Sequence, residues 1–98
     1  MSSVPDPPLP DLHQATLSDD ELAALLRDLA ACAEVLSIRV RGAPPGSAAT
    51  LALGDVQSSL ASGAAAAVQI TYRFDGATWI DTLTGGDGAT RLVRIRAA

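Results

Sequence analysis

The dipeptide Asp75-Gly76, inside the run AVQITYRFDGATWIDTL at residues 67–83, constrains this chain more than any other feature. Asp-Gly between two alternating apolar stretches is the strongest short-range hairpin signal. A two-residue turn needs φ > 0, which glycine adopts without a Cβ clash. With a two-residue turn, Phe74 faces Ala77, Tyr72 faces Trp79, Ile70 faces Asp81 and Val68 faces Leu83; a four-residue loop over 75–78 would shift the pairs but keep the same residues on the same face. One face of the hairpin then carries Val68, Ile70, Tyr72, Phe74, Trp79 and Leu83. The other carries Gln69, Thr71, Arg73, Thr78, Ile80 and Thr82. A three-residue loop would flip the second strand and disperse the only three aromatic residues of the chain, so that register is rejected.

Asp81 falls on the apolar face. An unpaired buried carboxylate costs several kcal/mol, so it must be hydrogen-bonded, paired or close to the rim. Tyr72, a backbone amide or an arginine could satisfy it. The rival reading makes Tyr72, Trp79 and Asp81 the pocket of a small enzyme or ligand-binding domain, with the carboxylate available for acid–base work.

A capping box marks the start of a helix. Ser18 and Glu21 form S-x-x-E, Leu17 and Leu22 can close a hydrophobic staple, and Asp19, Asp20 and Glu21 suit the positive end of the helix dipole. Leu22, Leu25, Leu26, Leu29 and Ala33 fall on one stripe, predicting a helix over 19–33 with Cys32 at its edge as a small buried hydrophobe. Residues 35–41 alternate as a strand, with Leu36, Ile38 and Val40 on one side and Ser37, Arg39 and Arg41 on the other. Gly42-Ala-Pro-Pro-Gly46 breaks the structure, and Leu51 and Leu53 suggest a short extended piece. A second helix is expected over 54–62, with Val56 and Leu60 inward and Gly63 as its stop. After the hairpin comes a glycine loop at 85–88, then a last strand over 91–96.

These elements predict one α+β domain over 17–98, in the order α-β-α-β-β-β, with two helices on one face of a largely antiparallel four-stranded sheet. Residues 1–16, with Pro5, Pro7, Pro8 and Pro10, read as a mobile proline-rich leader. The core must be small in volume, because 19 of the apolar residues are alanine.

Chemistry-bearing motifs are sparse. The single cysteine rules out an intrachain disulfide, and neither a cofactor nor a metal is expected, since no His, Cys or carboxylate spacing suits one. The glycine loop has no lysine and leads into a strand, so it is no phosphate cradle. No signal peptide or membrane-length apolar run is visible, which predicts a cytoplasmic protein without membrane contact.

Charge is the more informative property. Residues 1–34 hold seven acids against Arg27, whereas the rest holds six arginines against four acids. If the helices cover the aromatic face, the other sheet face presents Arg39, Arg41, Arg73, Ile80, Arg94 and Arg96 among threonines. That set predicts docking of another protein through an acidic surface, because guanidinium pairs carboxylates bidentately. A solvated surface with no partner is the plainer reading of the same residues. Nucleic-acid binding there is disfavoured by the net charge of −4 and by aromatics committed to the core. A homodimer is compatible with the same features.

The run Tyr72-Arg-Phe-Asp-Gly76, followed after four residues by Asp81-Thr82-Leu83, resembles a strand–turn–strand stretch in the C-terminal domain of hydrogenase-expression accessory proteins. The likeness covers about a dozen residues. It implies a non-catalytic accessory or adaptor protein acting in assembly or maturation of a metalloenzyme such as a hydrogenase, and it carries over no functional residue.

Overall fold

The computed structural model describes residues 12–41, 51–85 and 88–97. In chain order the elements are β1 (Leu12–Ser18), α1 (Asp19–Cys32), β2 (Glu34–Arg41), α2 (Val56–Ser62), β3 (Ala67–Phe74), β4 (Ala77–Gly85) and β5 (Ala89–Ala97). A 3-10 turn at Leu53–Asp55 leads into α2. The strands form one antiparallel sheet in the order β1-β5-β4-β3-β2.

The α+β class holds, but the sheet has five strands rather than four, and the order is β-α-β-α-β-β-β. The extra strand is β1, which takes residues 12–16 from the expected leader. Its positions on the helix side of the sheet are His13, Ala15 and Leu17, the residues opposite Arg94, Leu92 and Thr90 of β5. Only one of those three is a large apolar side chain, so the strand has almost no alternation to show in the sequence. Residues 1–11 and the Gly42–Gly46 loop lie outside the described residues, as do Gly86 and Asp87 of the glycine loop.

The hairpin forms as expected. β3 and β4 pair in the register Phe74–Ala77 to Val68–Leu83, and Asp75 and Gly76 both adopt positive φ, 53° and 78°. Two positive values suit a turn whose twist matches that of the flanking strands. Tyr72 and Leu83 are buried, whereas Trp79 is half-buried and Phe74, at the hairpin tip, is 49% exposed.

The capping box of α1 is present on both sides. Glu21 N–H donates to Ser18 Oγ at 3.2 Å, and Ser18 N–H donates to Glu21 Oε1 at 2.9 Å. Hydrogen bonding to its carboxylate from the Ser18 backbone first, and then from the Ser18 side chain, lowers the Glu21 pKa, since both favour the ionised form. Leu22, Leu26 and Leu29 of α1 join Val56 and Leu60 of α2 over Val68, Ile70, Leu83 and Leu92 of the sheet. Gly63 ends α2 with φ 79°, the left-handed conformation that glycine allows. Gly85 lets α2 approach β4: a Cβ there would stand 3.0 Å from the Leu60 carbonyl oxygen.

Two side chains point the wrong way for the expected pattern. Strict alternation sends Leu36 inward, but the register of β2 shifts between Val35 and Ser37, so Leu36 is 46% exposed while Val35, Ile38 and Val40 pack on the core. A bulge inserts one residue and reverses the alternation beyond it. Cys32, expected to be buried, is exposed in the last turn of α1. The residues at 51–52 form no strand.

Candidate functional site

The antiparallel ladder builds two contrasting surfaces. On the helix side, β4 sets Asp81 opposite Arg94 of β5, and Tyr72 lies on β3, diagonal to Asp81. Arg94 grips the carboxylate with two donors, Nε to Oδ1 and Nη2 to Oδ2, both at 2.8 Å. The Tyr72 hydroxyl donates to the same Oδ1 at 3.1 Å. Asp81 is fully buried, whereas the Arg94 side chain keeps 29% of its surface in solvent. The guanidinium lies 5.9 Å from the centre of the Tyr72 ring.

These contacts explain the ionisation of the cluster. Burial first, and then the neighbouring Asp81 charge, push the Tyr72 phenol well above its ordinary value. Hydrogen bonding to Asp81 raises Arg94, so the guanidinium stays charged. Both carboxylate oxygens of Asp81 therefore serve an ion pair and a tyrosine. Trp79 stands beside this group with the His13 ring 6.2 Å away.

Arg94 and Arg96 thus leave the proposed arginine face. Arg94 faces Asp81 and Arg96 faces Trp79 across the β4–β5 ladder, which puts both on the helix side. The reason is parity: Leu92 is 7% exposed, and positions 94 and 96 share its face. The isolated acid Asp81 was the sequence signal for this, because a buried carboxylate needs a cation from a neighbouring strand.

The outer face keeps Arg39, Arg41 and Arg73 and gains Arg91, which sequence reasoning left out. All four are exposed. Arg91 alternates with Val93 and Ile95 on β5, and Ile95 lies opposite Ile80 of β4. The face therefore carries an apolar patch of Ile80, Val93 and Ile95, with Thr71, Thr78 and Thr82 beside it, Arg91 next to it on β5, and Arg73, Arg39 and Arg41 on β3 and β2. Ile95 is 46% exposed. Glu34, opposite Arg73, is the acid among the described residues of this face, while Asp19, Asp20, Glu21 and Asp28 lie on α1. No aromatic side chain stands on the outer face among the described residues, so a base there would have no aromatic ring to stack on.

A groove of about 300 Å³ runs between α1 and the 3-10 turn, lined by Leu26, Arg27, Leu53 and Gln57 among others. It does not reach Asp81. Among the described residues, no group of three or more His, Cys, Asp or Glu could hold a metal ion. No helix among them is long and apolar enough to cross a membrane. No family model, curated protein or solved structure matches the chain.

Proposed function

We propose that the chain is a non-catalytic accessory or adaptor protein that docks its outer sheet face onto an acidic surface of a larger protein. One observation carries the reading: exposed Arg39, Arg41, Arg73 and Arg91 share the outer face with an apolar patch of half-buried Ile80 and Val93 and exposed Ile95. Apolar centres with arginine at the margin are the usual make-up of a protein interface. The local resemblance at Tyr72–Leu83 supports a metalloenzyme under assembly, such as a hydrogenase, as that larger protein.

The test reverses Arg39 and Arg73 to glutamate. Exposed charges contribute within about 1 kcal/mol to stability, whereas like charges opposed at an interface cost several. Tagged wild type is expected to retain a stoichiometric partner from native extract at low salt. The retained partner is then titrated in purified form. R39E/R73E should lose it while its circular dichroism stays native. Binding should also fade with salt, as the Debye length falls from about 10 Å at 0.1 M to about 3 Å at 1 M. Equal affinity of the two proteins for that partner removes the outer face as the docking surface.

A further inference from the structure

The sheet ends in two unlike edges. The β2 edge is interrupted by the bulge at Leu36 and carries Glu34, Arg39 and Arg41 along its length. Bulges and charges are the devices by which sheets prevent another strand from adding to them. The β1 edge has neither. Its seven residues, LHQATLS, pair with β5 without a break in register and include no acid, lysine, arginine or proline. His13, Gln14, Ala15 and Thr16 are exposed. Half of the backbone N–H and C=O groups of such a strand face away from β5, its one neighbour among the described residues, and need partners.

We propose that β1 joins two copies of this chain edge to edge, antiparallel and centred on Ala15, into one continuous sheet. A second copy is chosen because the edge is unbroken, carries no acid, lysine or arginine that would repel its own copy, and has a small residue, Ala15, at its middle. A two-fold axis normal to the sheet keeps every side chain on its own face, so each residue must meet a partner residue of the same parity. Of the registers this allows, the one centred on Ala15 uses all seven residues of β1. It sets Gln14 against the partner's Thr16, and His13 against the partner's Leu17. Leu12 meets the partner's Ser18. No like charges meet, and a small side chain occupies the axis, where the two copies of one residue must face each other.

A seven-residue edge alone buries less than the roughly 1,200–2,000 Å² of a stable interface, so association should be concentration-dependent. The outer faces of the two copies would run together, placing both sets of arginines on one surface. The proposal stands on the edge and is independent of what the outer face binds.

The decisive experiment is disulfide trapping. In a Cys32→Ser background, Ala15→Cys places two thiols across the axis, where opposed Cα atoms lie about 4.5–5.5 Å apart. That spacing suits a disulfide, whereas Cα atoms more than about 7 Å apart cannot be bridged. Gln14→Cys meets Thr16 instead of its own copy, so its thiols are too far apart. Mild oxidation should give covalent dimer at least tenfold faster from Ala15→Cys than from Gln14→Cys. Equal rates overturn the proposal.

Sedimentation equilibrium supplies a second reading, using Q14E/T16E. The carboxylate introduced by Thr16→Glu would lie beside Arg91 within one copy, because Thr16 faces Arg91 across the β1–β5 ladder. Across the axis it would meet the carboxylate that Gln14→Glu introduces in the other copy. Wild type should approach twice the monomer mass with rising concentration, and Q14E/T16E should weaken the dimer at least tenfold. Wild type that stays monomeric at millimolar concentration, or a dimer indifferent to the two added charges, overturns the assignment. If Q14E/T16E fails to fold, the two cysteine variants still decide.

Discussion

Replacing Arg94 with methionine should be more damaging than changing its partner Asp81 to asparagine. Arg94 supplies two of the three hydrogen bonds to Asp81, both at 2.8 Å, and Tyr72 supplies the third at 3.1 Å. Without Arg94, a carboxylate with no solvent exposure keeps one neutral donor. Removing one partner of a buried ion pair costs about 3–5 kcal/mol, because the other charge is left uncompensated. The opposite change is cheaper. Arg94 keeps 29% of its side-chain surface in water, so without Asp81 its head can turn outward and hydrate. For Asp81→Asn we expect about half the loss, roughly 2 kcal/mol. Against a total stability of about 5–15 kcal/mol for a chain of this length, both are large. Urea denaturation followed by circular dichroism at neutral pH measures each loss, provided the slope with denaturant is unchanged. The double change Asp81→Leu with Arg94→Met should recover part of the Arg94→Met loss. Equal losses, a reversed order, or an Arg94→Met loss under about 1 kcal/mol would refute the argument, by showing that water reaches Asp81.

Tyr72 predicts a limit on alkaline stability. Its pKa is raised in the folded state, so its contribution is intact below the unfolded value of about 10 and is lost as pH rises through the higher folded value. The chain has one tyrosine, so tyrosinate absorbance reads Tyr72 alone, and it should appear only as circular dichroism reports unfolding. Ionisation near pH 10 in the folded protein would contradict the burial. Gly85→Ala puts a Cβ 3.0 Å from the Leu60 carbonyl oxygen, and should lower stability by about 1–3 kcal/mol in the same urea assay. No change would mean α2 moves away freely.

How much of this was legible beforehand depends on whether the signal was local. The Asp75-Gly76 turn, the Ser18–Glu21 box and the Gly63 stop each act within a few residues, and the pairings and caps they imply are present. Signals that need a distant partner were weaker. β1 becomes a strand because β5 lies beside it, and its own composition carries almost no period. The bulge at Leu36 is likewise set between strands, since it appears only against Tyr72 and Thr71 of β3. Within the candidate site, Tyr72 and Asp81 could be placed together from the hairpin, which fixes both. Arg94 could not be joined to them without the β4–β5 register, although Leu92 already marked its face. Cys32 shows the same limit: the helical stripe places it at an edge, and only the packed layers show that edge open to solvent.

The position of β1 also bears on the order in which the domain can assemble. Its pairs run from Ser18–Ala89 to Leu12–Ile95, so the first strand of the sheet is completed by the last. During synthesis β1 and α1 emerge long before β5 exists, whereas β3 and β4 need only their two-residue turn. Closing the β1–β5 ladder encloses nearly the whole domain in one loop, and the entropic cost of closure rises with loop length. Until that closure β5 is itself a bare edge, and β1 has no strand beside it.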